Sequence, residues 1–151
     1  MPSPPLELRR AWPVDAAALA DIRRRAILEL ATPAMGVEAA RAWADNAAPD
    51  HVSKAIAEHE VWVAVRLGEP VGWVEFAGDF IGGAYVAPEA AGQGVGRALI
   101  RHAEGRIRGS GYPLVRLEAS SNAVAFYRRL GFSDLGEPDG YGTLPMGKPY
   151  L

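Results

Sequence analysis

The chain has 151 residues, of which 49% are apolar and 23% charged, and its net charge is −2 at pH 7. This length and composition predict one globular domain with its own core, and the slight acidity argues against the basic surface that nucleic acids require. No apolar run approaches the roughly 20 residues of a membrane span and cysteine is absent, so we expect no membrane anchor, no disulfides and a cytoplasmic location.

The first part of the chain predicts a strand followed by helices. Residues 1–5 are rich in proline and are expected to be flexible, which leaves residues 6–151 as a single domain. Residues 6–12 predict a strand that ends at Pro13. Asp15 then predicts the start of a helix, either as an N-cap or as an acidic residue of the first turn.

Apolar residues of this first helix recur at helical spacing and predict its buried face. That face carries Leu19, Ile22, Ala26 and Leu30. The arginines at 23–25 are expected largely around the opposite face, and Thr32-Pro33 predicts the end of the helix. Two shorter helices are predicted to follow, at residues 38–46 and 50–58.

The middle of the chain predicts an antiparallel hairpin, because residues 61–65 and 71–77 read as strands on either side of a turn at Gly68. The later elements are predicted as a strand at 81–86, a helix from Gly94, a strand at 114–118, a helix at 123–130 and two final strands. The helix from Gly94 is predicted to bury Val95, Leu99, Ala103 and Ile107.

A glycine-rich turn, Ala91-Gly-Gln-Gly-Val-Gly96, follows the strand that Pro88 ends. Its glycines let the backbone curl, and the helix that opens there offers free N–H groups and the positive end of its dipole. This arrangement predicts a phosphate site, and a pyrophosphate fits best. The spacing G-x-G-x-G differs from a Rossmann dinucleotide motif, and a Walker A loop would need a following Lys-Ser/Thr.

Three segments of the chain resemble the GNAT superfamily of acyl-CoA-dependent N-acetyltransferases. They are Ala84-Tyr-Val-Ala-Pro88, Gly92-Gln-Gly-Val-Gly-Arg-Ala-Leu99 and Ala123-Val-Ala-Phe-Tyr-Arg-Arg-Leu-Gly-Phe132. The resemblance is sharpest over residues 80–132. It implies an α/β fold with a mixed, mostly antiparallel sheet of about six to seven strands, helices on both faces and a splayed, V-shaped cofactor cleft.

The resemblance also implies acetyl-CoA as the co-substrate, bound by the β-strand backbone and by the glycine turn, with side-chain donors from Gln93 and Arg97. Relatives usually carry Arg or Gln at the position of Ala91, so one donor is missing. Ser120 and Asn122 have an alternative role as N-caps of the following helix. The expected cofactor-binding residues are Ala84, Tyr85, Val86, Ala91, Gly92, Gln93, Gly94, Val95, Gly96, Arg97, Ser120 and Asn122.

Tyr127 aligns with the family tyrosine that protonates the departing CoA sulfur, and a phenol suits this role because its ordinary pKa of about 10 keeps it protonated beside a thiol. The base is less defined, because Phe80 and Gly82 stand where some relatives carry a titratable residue. The candidate bases, in order, are Glu75, Glu118 and Asp79. Glu75 comes first because it shares a strand face with Val71 and Trp73, where burial favours proton uptake.

These residues together predict an N-acetyltransferase that moves an acetyl group directly to a primary amine of a small molecule or peptide. The alternatives are a non-catalytic acyl-CoA-binding regulatory module of the same fold, a scaffold partner, and a transferase for another acyl group. An amine that arrives neutral would need little base. Because relatives often dimerise, a homodimer is also considered.

Two further sets of residues bear on ligands. The histidines are His51, His59 and His102, which lack Cys or Asp neighbours at ligand spacing. We therefore expect solvent-facing helix histidines and no metal site. The tryptophans that could line an acceptor pocket are Trp43, Trp62 and Trp73, although core positions would account for them equally well.

Overall fold

The computed structural model describes residues 4–150, so most of the segment predicted to be flexible lies outside the described residues. The strands are β1 (Glu7–Arg10), β2 (Glu60–Arg66), β3 (Glu69–Ala77), β4 (Phe80–Val86), β5 (Leu114–Ala119), β6 (Ser133–Asp134) and β7 (Leu144–Pro149). The α-helices are α1 (Ala16–Ala26), α2 (Thr32–Met35), α3 (Val37–Asp45), α4 (His51–Glu58), α5 (Val95–Gly109) and α6 (Val124–Arg129). None of the helices within residues 4–150 is both long enough and apolar enough to span a membrane.

All seven strands belong to one sheet, in the order β1-β2-β3-β4-β5-β7-β6. Neighbouring strands run antiparallel except β4 and β5, which are parallel. Helix α5 packs on one face of the sheet, whereas α1 and α4 pack on the other. The predicted α/β fold with a mixed, mostly antiparallel sheet is therefore confirmed.

The alternation of side chains along β2 explains these two layers. Its valines at 61, 63 and 65 pack with α1 and α4, whereas Trp62 and Ala64 pack with α5. The predicted buried face of α5 is confirmed, because Val95, Leu99, Ala103 and Ile107 are each at most 1% exposed. Burying such a side chain contributes about 1.5–3 kcal/mol, so both layers hold the central strands firmly.

Strands β2 and β3 form the predicted hairpin, with Leu67 and Gly68 as the turn. Both residues have positive φ, 53° and 77°, as a two-residue hairpin turn of type I′ requires. A register shift in the hairpin leaves Val71 without a partner on β2. Val71 consequently packs in the α5 layer and Trp73 in the α1 layer, so the prediction that Val71 shares a face with Trp73 and Glu75 is wrong.

The parallel strands β4 and β5 pair at one end only. Phe80 lies opposite Arg116 and Ile81 opposite Leu117, and the described strands pair nowhere beyond these residues. A second register shift leaves Gly82 of β4 unpaired with β3, which marks a β-bulge. Together these features open a V-shaped gap in the sheet, as predicted.

The first helix departs from regular α-helical spacing at its end. Residues Ile27–Ala31 form a π-helical turn between α1 and α2. This wider turn changes the direction of the following side chains, so Leu30 is 38% exposed and its predicted place on the buried face is wrong. Thr32 and Pro33 begin α2 and do not end the helical region, because proline is tolerated in a first turn.

Two polar residues anchor this helical region. Asp15 acts as a first-turn acid, because its Oδ2 accepts the N–H of Trp12 at 2.7 Å. Arg23 is 8% exposed, so its predicted place on the polar face is wrong. Its guanidinium donates to the carbonyl oxygens of Trp43 and Ala44 at 3.2 and 3.1 Å, which ties α1 to the end of α3.

Candidate active site

One large cleft follows the gap between β4 and β5 and encloses about 1420 Å³. We distinguish two walls: the cofactor wall, formed by β4 and residues 91–97, and the acceptor wall, formed by residues 26–46 with 140–143. Expected site residues that line the cleft are Ala84, Tyr85, Val86, Ala91, Gly92, Gly94, Val95, Gly96, Arg97, Glu118, Ser120, Asn122 and Tyr127. Gln93 and Glu75 are not among the lining residues.

The glycine turn has the geometry of an anion site. Gly92 and Gly94 have positive φ of 75° and 84°, which residues with side chains rarely adopt. The N–H groups of the first helical turn, on Val95, Gly96 and Arg97, have no acceptor within α5. Since these residues line the cleft, the positive end of the helix dipole lies at its edge.

Side chains contribute little to this turn. Gln93 points away, because its amide oxygen accepts from Arg66 at 2.6 Å and its nitrogen donates to the carbonyl of Glu89 at 3.3 Å. Ala91 lies at the cleft without a polar group. Of the two side-chain donors expected at this turn, Gln93 and Arg97, only Arg97 lines the cleft.

Ser120 and Asn122 lie on the far side of the cleft, just before α6. The Ser120 hydroxyl donates to Oδ1 of Asn122 at 2.7 Å. Helix α6 has Ala123 as its N-cap residue and no side-chain cap, so the N-cap alternative for Ser120 and Asn122 is wrong. The pair presents polar groups to the cleft, opposite β4.

Tyr127 is 8% exposed and lines the cleft between two other aromatic rings. Phe126 and Phe132 contact it edge-on, with ring centroids 5.1 and 5.7 Å away. Burial raises the pKa of the Tyr127 phenol, so its hydroxyl stays protonated in neutral solution. A general acid must hold its proton in this way until a stronger base forms beside it.

Glu75 lies on β3, directly behind the bulge of β4, and is 6% exposed. Its Oε2 is 3.0 Å from Nδ1 of His59, and its Oε1 is 3.8 Å from Nε2 of His51. A β-carbon on Gly82 would lie 3.5 Å from Cγ and Cδ of Glu75. His51 and His59 are each 42% exposed, in line with the expectation that they face solvent, and they also contact this buried carboxylate.

The other candidate bases differ in their surroundings. Glu118 is exposed and lines the cleft. Asp79 accepts two hydrogen bonds of 2.9 Å from the Arg116 guanidinium, which lowers the pKa of the Asp79 carboxyl. This pairing makes Asp79 a weaker proton acceptor, and Asp79 does not line the cleft, so both observations disfavour it as the base.

The acceptor wall is mostly apolar. Its helical part consists of Ala26, Ile27, Leu30, Ala34, Met35, Ala39, Ala42, Trp43 and Asn46. The loop at 140–143 contributes Tyr141, which is 89% exposed. Asp139 orders this loop by accepting the N–H groups of Tyr141 and Thr143 at 2.8 and 3.0 Å. Sequence reasoning missed Tyr141, because an irregular loop carries no periodic signal.

Tyr85 connects β4 with the acceptor wall. Its ring lies 6.5 Å from Trp43 and 5.1 Å from Trp73, and the Arg23 guanidinium lies 5.7 Å from the ring centre. Burial raises the pKa of Tyr85, and the charge of Arg23 opposes this effect. The side chain therefore serves as a rigid contact between strand and helices.

Trp62 and Trp73, which the sequence also suggested for an acceptor pocket, do not line the cleft. Trp73 is fully buried and donates from Nε1 to the carbonyl oxygen of Leu19 at 2.9 Å. Trp62 lies in the other layer, with its ring 4.0 Å from that of His102. Burial lowers the pKa of His102. Across residues 4–150 no three His, Cys, Asp or Glu side chains are grouped so as to hold a metal ion.

The sequence and fold match a known family. The family profile described as an acetyltransferase (GNAT) domain matches residues 57–134, which is more than half of the chain. The protein therefore belongs to the GNAT acetyltransferase family, as its motifs predicted. The matched region contains β2 to β5, the glycine turn and α6, and so includes the whole cofactor wall.

Two curated relatives with the same name match about two thirds of the chain. Over 100 residues the chain is 33% identical to the peptidyl-lysine N-acetyltransferase YjaB of Salmonella typhimurium, and the match covers 66% of each chain. It is 32% identical over 105 residues to the Escherichia coli protein of the same name, covering 67% of this chain and 66% of that one. The chain thus spans slightly less than two thirds of these relatives.

Solved structures agree on the fold. A GCN5-related N-acetyltransferase from Rhodopseudomonas palustris superimposes with a TM-score of 0.85 at 27% identity, covering 99% of this chain and 97% of that one. The PaiA N-acetyltransferase of Thermoplasma acidophilum, solved in complex with coenzyme A, gives a TM-score of 0.81 at 20% identity, with coverages of 97% and 99%. At that identity the second likeness concerns the fold alone.

Proposed function

We propose that this protein transfers the acetyl group of acetyl-CoA to a primary amine of a small molecule or peptide. The observation that carries the proposal is the convergence on one cleft of the free amides of α5, the bulged strand β4 and Tyr127. A transferase needs its donor site and its proton donor within one cavity, because both must reach the same reacting atoms.

The residues present fit a CoA molecule. The positions where β-carbons of Gly92 and Gly94 would project have nothing within 4 Å, so the turn leaves open space beside the free amides. A pyrophosphate would accept hydrogen bonds from those amides, and Arg97 would add a cation. Beyond Ile81, the edge of β4 that faces the gap offers N–H and C=O groups to an extended, amide-containing arm.

Bound acetyl-CoA would supply the acetyl group as a thioester. The backbone N–H groups of β4 near Ala84 and Val86 would polarise the thioester oxygen, an interaction worth roughly 3 kcal/mol per donor in comparable sites. Tyr127 would hold a proton at its hydroxyl for the departing sulfur. A carboxylate would take the proton that an ammonium substrate loses before its nitrogen forms the new bond.

The acceptor wall supports an amine with an apolar portion. Met35, Trp43 and Tyr141 offer contact area to aliphatic or aromatic carbon, and few polar groups compete for the amine. A lysine side chain has this character, with an apolar stem and a terminal amine. The names of the curated relatives, which are peptidyl-lysine N-acetyltransferases, favour the same class of acceptor.

The first experiment is calorimetric titration of the purified protein with acetyl-CoA and free CoA, with NADH and ATP as controls. We expect micromolar binding of the CoA compounds alone. A thiol-release assay with a lysine peptide, an alkylamine and an aromatic amine then tests transfer. Binding without transfer to any amine would favour the regulatory module. Faster transfer from propionyl- or succinyl-CoA would mean that the preferred acyl group is not acetyl.

Failure of a folded protein to bind either CoA compound would overturn the proposal. Light scattering tests the predicted homodimer in the same samples. The cytoplasmic location likewise stays a prediction.

A further inference from the structure

Strand β4 offers no carboxylate or imidazole to the cleft. Its sequence is FIGGAYV, in which Tyr85 is the one ionisable side chain. The bulge itself is formed by two glycines, Gly82 and Gly83, where a side chain would otherwise project. An amine that enters the cleft as an ammonium ion must nevertheless lose a proton before its nitrogen can react.

The side chains of Glu75 and Tyr85 occupy the space beside Gly82 and Gly83. A β-carbon on Gly82 would lie 3.5 Å from Cγ and Cδ of Glu75 and 3.8 Å from its Oε1. A β-carbon on Gly83 would lie 2.9 Å from Cε2 and 3.2 Å from the hydroxyl of Tyr85. The carboxylate of β3 therefore reaches the position that a titratable side chain at residue 82 would fill.

The same carboxylate is in contact with solvent-exposed histidines. His59 makes the closer contact, at 3.0 Å, and His51 lies at 3.8 Å; both side chains are 42% exposed, whereas that of Glu75 is 8% exposed. A buried carboxylate is costly unless it is hydrogen-bonded, so this contact holds the Glu75 side chain in its position. The cluster of Glu75, His59 and His51 thus extends from β4, in the cofactor wall, to the solvent-exposed surface.

We propose that Glu75 is the general base of the reaction, acting through the gap at Gly82, and that His59 is the positioning residue that holds the Glu75 carboxylate there. This inference rests on the proposed acetyl transfer. An ammonium substrate first loses one proton to Glu75; the neutral nitrogen then bonds to the acetyl carbon and releases its second proton to water. The carbon–sulfur bond breaks, and the sulfur takes the proton of Tyr127.

Both protein groups then return to their starting states. Glu75 passes its proton to solvent by way of the histidines, and Tyr127 regains one from water. The charged or titratable groups around Glu75 are His51 from α4, His59 between α4 and β2, and Tyr85 from β4, with Arg23 of α1 over the Tyr85 ring. The competing base is Glu118, exposed across the cleft.

The test is Glu75→Gln, with Glu118→Gln as the matched control and a lysine peptide as acceptor. At pH 7 we expect Glu75→Gln to lower kcat about 100-fold, with the KM for acetyl-CoA unchanged. At pH 9.5 the loss should shrink to less than about tenfold, because more of the peptide amine, whose pKa is about 10.4, is already neutral. An aromatic amine that is neutral at pH 7 should be nearly insensitive to the change.

His59 and Gly82 are tested by the same pH comparison. His59→Leu should lower kcat about tenfold at pH 7, whereas His59→Asn, which keeps a donor near the Nδ1 position, should retain most of it. Gly82→Ala places a methyl group between Glu75 and the cleft, with space for it, and should reproduce part of the loss. Unchanged activity of His59→Leu would overturn the positioning role.

Acetyl-CoA binding and thermal unfolding of each variant separate these results from misfolding. A loss in Glu75→Gln that is equal at all pH values, or no loss at all, would overturn the base assignment while leaving the transferase proposal intact. The same pH signature in Glu118→Gln would transfer the role to Glu118. A wild-type protein that binds acetyl-CoA but acetylates no amine would instead refute the proposed function.

Discussion

The two walls of the cleft differ in what they present to a ligand, which is mainly backbone in the cofactor wall and side chains in the acceptor wall. The cofactor wall presents mainly backbone, through the turn at Gly92 and Gly94 and the open edge of β4. The acceptor wall presents side chains, with Trp43 and Tyr141 as its largest members. Backbone geometry tolerates many side chains, so we infer that substrate choice is determined in the acceptor wall.

The largest expected effect comes from breaking the backbone of the cofactor wall. Gly94→Val forces a branched side chain into a left-handed conformation, with φ at 84°, and places bulk beside the free amides. We expect the affinity for acetyl-CoA to fall more than about 1,000-fold, as measured by calorimetry. That loss corresponds to about 4 kcal/mol of binding energy.

Gly111→Val is the matched control for this change. Gly111 has a similar φ of 94° and equally open surroundings, but it follows the other end of α5. The strain should lower the stability of both variants by about 1–2 kcal/mol, while acetyl-CoA binding to Gly111→Val stays normal. Equal loss of binding in the two variants would mean that strain alone explains the effect and that the turn is no cradle.

Tyr127 lies between the two walls, and its removal should affect chemistry and leave binding unchanged. Tyr127→Phe keeps the ring packed between Phe126 and Phe132 but removes the acidic hydroxyl. We expect kcat to fall about 100-fold, with the dissociation constant for acetyl-CoA unchanged. Tyr112→Phe, at an exposed tyrosine, serves as the control, and full activity of Tyr127→Phe would assign the acid to another group.

A change in the acceptor wall should have the opposite kinetic signature. Trp43→Ala removes a large contact surface next to Tyr85 and is expected to raise the KM for the amine about tenfold. Acetyl-CoA binding should not change. Trp12→Ala, at an exposed tryptophan remote from the cleft lining, is the control. If Trp43→Ala weakened acetyl-CoA binding instead, the division between the two walls would be incorrect.

The smallest effect concerns acid sensitivity of α5, the helix of the cofactor wall. Burial lowers the pKa of His102, so the unfolded chain binds a proton there more readily than the folded chain. This contribution to stability is present above the ordinary histidine pKa of about 6.5 and is lost as the pH falls below it. Between pH 7.5 and 5, the Tm of His102→Gln should fall less than that of the wild type, and the difference should be at most about 2–4 °C. An identical decrease in both proteins would contradict this origin.

Much of the cofactor wall could be predicted from the sequence, because its signals are local. The glycine turn, the hairpin and the buried face of α5 each depend on neighbours within a few residues. Such features need little knowledge of distant contacts, which explains why their predicted positions agree with the structure.

The residues that could not be predicted depend on contacts distant in sequence. The hydrogen bond between Glu75 and His59 spans 16 positions, and Arg23 reaches carbonyl groups 20 and 21 positions away. The unpaired Val71 and the π-helical turn after α1 each add one residue to a regular element, so neighbouring side chains move to another face. A prediction from regular spacing cannot detect such an extra residue. The side-chain contacts of the candidate site could therefore be identified only from the fold, whereas the backbone features of the glycine turn could be predicted from the sequence.

The incomplete pairing of β4 and β5 has a mechanical consequence. Within residues 4–150 the two parts of the sheet, β1 to β4 and β5 to β7, are joined only at one end, by the pairs at Phe80 and Ile81 and by the hydrogen bonds of Arg116 to Asp79. A ligand with amide groups that enters the gap would act as a temporary strand between the two parts of the sheet. Occupancy should then stiffen the whole molecule, and saturation at 100 times the dissociation constant would add about 2.7 kcal/mol to its stability.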